Sequence, residues 1–435
     1  MRESNFTVRV LRREDEIAQF VRLVNAVFAP DGDQEKGFAS FRHYLANSPD
    51  VRAESVRGAF DPVSGRLLGG YLLLQRNLCI GPARLATGCI GAVAVAPNER
   101  KRGVASALMY DASVYAEMNK LALLFLTGIP NFYHRLAYVP VLEENELYLE
   151  RDAIQALPPV EDIQVRDATA ADANTLLALY QRHFHPYIGS FDRTLAEQAY
   201  LLQREGAHYL LACTSDGQVV GYLQLRQSDR SLSQKEIAAS DWQVIAALLQ
   251  EQERRLAAQE SDSQTAHSAP KPAHNPHLIW NVPPDSQIFY HLAEHVPFRS
   301  QSLHHYSADW MARIGNLDAL VQALIPLWNQ RLLNTPLEWS GMPGILNLGI
   351  GERHFPLHIS PDGVRMTGDL SLTYDEDGAN ALLLTQKAFI QLTFGFRPVA
   401  WFAHQPEQHI PPALLPLLDV LFPLAPSWVA GSDYF

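Results

Sequence analysis

Residues 93–109, VAVAPNERKRGVASALM, constrain this chain most, because one short run specifies a strand, a turn and a helix. An apolar, β-rich segment from Cys89 to Ala96 stops at Pro97. Three consecutive basic residues, Arg100, Lys101 and Arg102, follow in a polar turn, and Gly103 opens a helical stretch. Glycine lets the backbone adopt positive φ and approach a ligand closely. The first N–H groups of a helix have no intrahelical partner and suit an anion such as a pyrophosphate. Cationic side chains beside them add charge-assisted hydrogen bonds. A second apolar strand, Leu121 to Leu126, leads to Gly128 and the aromatic segment Asn131-Phe132-Tyr133-His134-Arg135. This order of strand, basic-glycine turn, helix, strand and tyrosine predicts a site for a phosphorylated acyl carrier. The turn taken alone also reads as the solvated corner of an ordinary βαβ unit.

VAVAPNERKRGVASALM is similar to the acetyl-CoA-binding motif of GNAT-type N-acetyltransferases, and NFYHRLAYVP resembles their following tyrosine-bearing segment. The resemblance implies acetyl-CoA as co-substrate. Backbone N–H groups of Val93, Ala94 and Val95 would bind the carrier or a developing oxyanion. Lys101, Arg102, Gly103, Val104, Ala105 and Ser106 would hold the pyrophosphate, and Gly128 and Ile129 would line the pantetheine or acetyl end.

At 435 residues the chain is too long for one typical core and predicts roughly two to four domains. Residues 6–11 read as a strand, and 14–28 as a helix with an apolar stripe at Ile17, Phe20, Val21, Val24 and Phe28. A loop, a meander over 56–60 and 67–75 and the turn Gly81-Pro82 complete a first domain ending near residue 155. The next segment repeats it. FTVRVLRREDEIAQFVRLV resembles IQVRDATAADANTLLALYQ, and VSGRLLGGYLLL resembles SDGQVVGYLQL, both offset by about 150 residues. Where this copy should carry its basic-glycine turn, between Arg226 and Glu236, no glycine follows the basic residues, so it is expected to be scaffold. Residues 236–260 read as a helix with Ile237, Trp242, Ile245 and Leu249 on one face, followed by a mobile loop near 261–277 and a strand over 278–282.

His291, Glu294 and His295 match the H-x-x-E-H pattern of inverted zinc peptidases. Ile288, Phe289, Leu292 and Val296 instead fit a short amphipathic helix between Pro284 and Pro297, and no third ligand presents itself, so no metal is expected. His304 and His305 read as exposed. From Ser307 a strand runs into a helix bearing Leu317, Leu320, Val321 and Leu324, and short strands separated by Gly, Pro and Asp turns follow. This α+β pattern is similar to the sterol carrier protein-like fold, which keeps a lipid-binding function open.

The whole order resembles the enhanced intracellular survival (Eis) acetyltransferase family. The expected fold is α/β and α+β: a catalytic GNAT (acyl-CoA N-acyltransferase) domain over 1–155, a degenerate GNAT domain over 156–306, and a sterol carrier protein-like domain over 307–435 whose C-terminus reaches the active site. The resemblance implies acetylation of amines on small cationic molecules, aminoglycoside- or polyamine-like, and sometimes of peptide lysines. It implies Tyr133 as general acid, the terminal carboxylate of Phe435 as general base, and a homohexamer. The family often has an acidic penultimate residue; this chain has Tyr434, with Asp433 before it. Asp31 and Asp33 are further candidates for holding the amine. Ala137 stands where the family usually has glycine.

The net charge of −12 argues against a nucleic-acid partner. No apolar run reaches the about eighteen residues a membrane helix needs, and the N-terminal stretch has no signal-peptide core. Cys79, Cys89 and Cys213 form neither a disulfide framework nor a zinc set. A cytoplasmic location is therefore expected.

Overall fold

The structure, a computed structural model, describes residues 6–228, 231–265, 276–283, 285–304, 308–339, 344–367 and 380–435, and everything below concerns these. They form two compact units: Met1–Leu142 with His305–Ala425 and Phe435, and Glu143–His304 with Pro426–Tyr434.

The first unit is built on a seven-stranded sheet in the order Thr7–Val10, Val56–Phe60, Leu67–Ile80, Ala83–Val95, Leu123–Gly128, Asp309–Ile314, Val139–Pro140. The helix Glu14–Phe28 begins with three acidic residues, which suit the positive end of its dipole. Its expected stripe holds for Phe20, Val21 and Val24, but Phe28 is 61% exposed because the helix ends there. A second helix, Gln34–Asn47, stands where a loop is expected, started by Asp33, whose side chain accepts from the N–H groups of Glu35 and Lys36. The helix Val104–Met118 buries Val104, Leu108, Met109 and Ala112 against Leu68, Tyr71 and Leu73 of the sheet. Beyond the seven-stranded sheet, Gly363–Met366, Arg353–Ser360, Ile345–Ile350 and Ala381–Leu384 form a smaller one in that order, with the helix Leu317–Asn334.

The second unit repeats the element order of the first. Strand Ile163–Asp167, helices Ala173–Phe184 and Leu195–Gln203, strands Ala207–Thr214, Val219–Ser228 and Ser231–Ala238, helix Trp242–Thr265 and strand His277–Asn281 match, one for one, the elements from Thr7 to Gly128. The duplication read in the sequence is thus present as repeated structure. The helix expected over 236–260 starts later, at Trp242, because Ile237 belongs to the preceding strand. Of the loop expected near 261–277, residues 266–275 lie outside the described residues, as does His305; the helix continues to Thr265.

Each compact unit gathers segments that lie far apart in the chain. Asp309–Ile314 pairs antiparallel with Leu123–Gly128 and so joins the first sheet. Glu144–Glu150 lies between His277–Asn281 and Phe298–Leu303 in the second unit. Backbone N–H and C=O groups of a buried strand must be paired, and these two strands find their partners far along the chain. Cys79, Cys89 and Cys213 are buried and form no disulfide with one another, as expected of small apolar side chains. No helix among the described residues is long and apolar enough to cross a membrane.

Candidate active site

The candidate site is where two neighbouring parallel strands of the first unit part. Ala83–Val95 and Leu123–Gly128 pair from Thr87 with Leu123 to Ile90 with Leu126, and no further. Just beyond Ile90 the first strand bulges: Ala92 has φ 49°, and the register against Leu67–Ile80 shifts between Gly70 and Leu72. A bulge bends its strand and re-aims the backbone. Val93 follows on the bulged segment, while Ala94 and Val95 regain pairing with Gly70 and Gly69. Gly91, at the parting, faces the end of the chain. A Cβ there would lie 2.9 Å from the carboxyl carbon of Phe435 and 3.0 Å from its oxygen.

The Phe435 ring is held by Trp310 at 5.8 Å and Phe125 at 6.4 Å between centroids, with the Arg76 guanidinium 6.0 Å from its centre. Gly91→Ala is therefore expected to push the terminal carboxyl group aside. A steady-state assay should show a lower kcat with acetyl-CoA binding retained; an unchanged kcat would mean that this close approach is not used.

The basic-glycine turn forms as the sequence predicts. Pro97–Glu99 is a single 3₁₀ turn, Lys101 has φ 62° and Gly103 φ 90°, and the helix Val104–Met118 starts with no side-chain cap. The first N–H to bond back within this helix is that of Ala107, to Gly103 O at 3.0 Å, so those of Val104, Ala105 and Ser106 stay available. Arg102 departs from expectation. Its guanidinium pairs with Glu99, which also holds Arg66. Lys101 and Arg100 are exposed and find no partner among the described residues.

Across the opening, Gly128 ends its strand beside Tyr133. A Cβ on Gly128 would come within 2.7 Å of Met311 Sδ and 3.1 Å of Tyr133 Cδ2, so glycine is what lets the tyrosine ring close on the strand. Ile129 is exposed. Tyr133 is 6% exposed, edge-on to Phe132 at 4.9 Å and Tyr138 at 5.8 Å. Burial pushes its hydroxyl up to about 12. The turn Tyr133–Leu136 closes on Ala137 at φ 63°, a left-handed conformation that costs an L-residue about 1–2 kcal/mol. Ala137→Gly relieves that strain and is expected to raise stability by up to about 1 kcal/mol in urea denaturation, after glycine's own entropic cost.

Asp33 is engaged as a helix cap, Asp31 is exposed in the preceding loop, and the Tyr434 hydroxyl donates to Glu144 Oε1 at 3.3 Å in the second unit. Asp433 stands in the sequence as the acid before Tyr434. It is buried in the second unit, where Arg193 Nε donates to it at 3.0 Å and the Tyr180 hydroxyl at 2.9 Å. Arg193 also meets Glu236 at 2.7 Å, and the Tyr222 hydroxyl donates to Glu236 at 2.7 Å.

In the second unit the turn equivalent to 96–103 is Ala239–Asp241, not the stretch from Arg226 to Glu236. There Asp241 accepts from the Val244 N–H at 3.0 Å. A carboxylate thus occupies the helix start that an anion would need. The zinc pattern does not assemble either. The His295 ring stacks on Trp242 at 4.0 Å and its Nδ1 lies 2.8 Å from His291 O. Among the described residues His291, Glu294 and His295 form no ligand cluster.

Residues 7–141 match the family model of the acetyltransferase (GNAT) domain. No curated protein matches the chain in sequence. Among solved structures, a GCN5-related N-acetyltransferase from Kribbella flavida is similar over 100% of both chains, at 18% identity and a TM-score of 0.69. One from Anabaena variabilis is similar over 99% of this chain and 100% of its own, at 16% identity and a TM-score of 0.69. Eis1 from Mycobacterium abscessus is similar over 99% of this chain and 100% of its own, at 16% identity and a TM-score of 0.60. These likenesses show a shared fold along the whole chain.

Proposed function

We propose that the GNAT domain formed by residues 7–141 transfers the acetyl group of acetyl-CoA to an amine of a small cationic molecule, aminoglycoside- or polyamine-like. The observation that carries this reading is the carboxyl group of Phe435 against Gly91, at the parting of the two strands. An amine attacks a thioester only when neutral, so an ammonium must first lose a proton. A carboxylate at this opening accepts it, directly or through one water. The nitrogen then attacks the thioester carbonyl through a tetrahedral intermediate, without a covalent enzyme species. The departing CoA thiolate takes a proton from the Tyr133 hydroxyl. The open N–H groups of Val104, Ala105 and Ser106, with Lys101, hold the pyrophosphate.

The resemblance to the Eis family supports three further parts of this reading: a sterol carrier protein-like role for residues 307–435, a homohexamer, and a cytoplasmic location. The test is free-thiol release from acetyl-CoA against aminoglycosides, polyamines and lysine peptides. Turnover confined to the peptides would move the acceptor class. Absence of turnover with any amine, alongside co-purified lipid, would replace the proposal with lipid binding.

Tyr133→Phe is expected to lower kcat by about 10²-fold. Because burial holds the hydroxyl protonated up to about 12, the wild-type pH–rate profile should show no loss attributable to Tyr133 below about pH 10. An alkaline fall below that value, absent from Tyr133→Phe, would contradict this.

A further inference from the structure

The second unit contains a cleft of about 340 Å³. Ala239 and Ser240 line it just after the strand Ser231–Ala238, and Val282 and Pro283 just after His277–Asn281. These strands are the counterparts of Ala83–Val95 and Leu123–Gly128, whose parting makes the site in the first unit. They belong to different sheets. Side chains bridge them: Gln234 Nε2 donates to Asn281 O at 3.4 Å and the Asn281 N–H donates to Gln234 Oε1 at 2.9 Å, while Gln252 Nε2 donates to Leu232 O at 3.2 Å and Trp280 Nε1 donates to Gln252 Oε1 at 2.8 Å. Ligands of open α/β sheets bind outside the carboxyl ends of strands that diverge in this way. The duplicated domain has therefore kept a cleft at the matching position while Asp241 has closed the anion site beside it. Its ligand is one without a phosphate handle.

The lining narrows the choice. Phe184 and Trp428 stack at 4.8 Å and 25°, and Ile237 and Ile288 add apolar wall. Trp428 is fixed by its Nε1, which donates to Asn281 Oδ1 at 2.6 Å. His183 Nε2 is buried and finds no partner among the described residues. Leaving such a group unpaired costs about 1–3 kcal/mol, which a ligand's polar end would recover. Burial, and then the charge of Arg182, holds this imidazole below its usual value, so it is a neutral hydrogen-bonding group. Arg182 and Asp285 bring one charge of each sign to the same cleft. Burial first, and then the Asp285 carboxylate, pushes Tyr187, also on the lining, up to about 12.

We propose that this cleft binds a small zwitterion with an apolar body, an apolar α-amino acid being the simplest, with its ammonium toward Asp285, its carboxylate toward Arg182 and His183, and its side chain against Phe184 and Trp428. The site is independent of acetyl transfer.

The test uses the full chain, with thermal shift and titration calorimetry against L-phenylalanine and L-leucine. 3-Phenylpropionate and phenethylamine serve as probes that each lack one charge. The expected result is a saturable stabilisation by the amino acids, with each single-charge analogue binding at least about tenfold more weakly. Ser240→Trp, an exposed position on the rim, should fill the cleft and abolish the shift while leaving the ligand-free Tm and acetyl-CoA turnover unchanged. His183→Leu should weaken binding about tenfold. No stabilisation by either amino acid, an unchanged shift in Ser240→Trp, or equal binding of the single-charge analogues would each overturn the proposal.

Discussion

A single residue appended after Phe435 is expected to lower acetyl turnover by about 10²–10⁴-fold while leaving the affinity for CoA unchanged. The physical reason is twofold. Extension converts the terminal carboxylate, which accepts a proton, into a neutral amide, which does not. It also adds backbone where a Cβ on Gly91 would already meet the carboxyl carbon at 2.9 Å. The turn around Gly103, proposed to bind the carrier, is built from other residues and is untouched, so the effect belongs in kcat. A chain ending at Tyr434 should behave similarly, because it also loses the ring that packs on Trp310 and Phe125. Extended and native chains are compared by thiol release at saturating acceptor, with CoA binding measured separately. Equal turnover would transfer the role of base to an internal group and sink the role given to Phe435.

Arg193→Met is expected to cost about 3–5 kcal/mol and to lower the Tm of the second unit on the order of 10 °C. Arg193 is the cation between two buried carboxylates, Glu236 and Asp433, and all three side chains are almost fully buried. Its removal leaves two negative charges out of water without their shared cation. Ser432 and Tyr222 donate to Glu236, and Tyr180 to Asp433. Asp433 stands two residues before the proposed base, so loss of this anchor also frees the tail and should reduce turnover. The combination of Arg193→Met, Glu236→Gln and Asp433→Asn removes the charges together and should recover much of the stability. Urea denaturation measures both variants; a cost below about 1 kcal/mol for the single change would show that the network does not hold the tail.

The start of the first helix, the strand–turn–helix around Gly103 and the alternating strands of the duplicated half were legible because residues close in sequence specify them. Helix Gln34–Asn47 was missed, because the polar run around its cap Asp33 read as a loop although Phe38, Phe41 and Tyr44 recur at helical spacing. Local pattern misled where it was ambiguous. Glu236 and Ile237 suit a helix as well as a strand edge, and only pairing with Gln224 and Leu223 decided for the strand. The H-x-x-E-H spacing was real, yet packing turned His295 onto Trp242.

The sequence by itself determined that this chain duplicates one α/β unit and that the first copy alone keeps an uncapped, glycine-led helix start suited to a phosphate. Both follow from propensity, periodicity and backbone freedom, which act between near neighbours. Only the tertiary structure decided that Asp309–Ile314 enters the first sheet, that Arg193 joins Glu236 to Asp433, and that the last carboxyl group comes to rest against Gly91. Strand pairing uses backbone groups every residue carries, and a close approach needs only the absence of a side chain, so neither marks the sequence near the residues it joins.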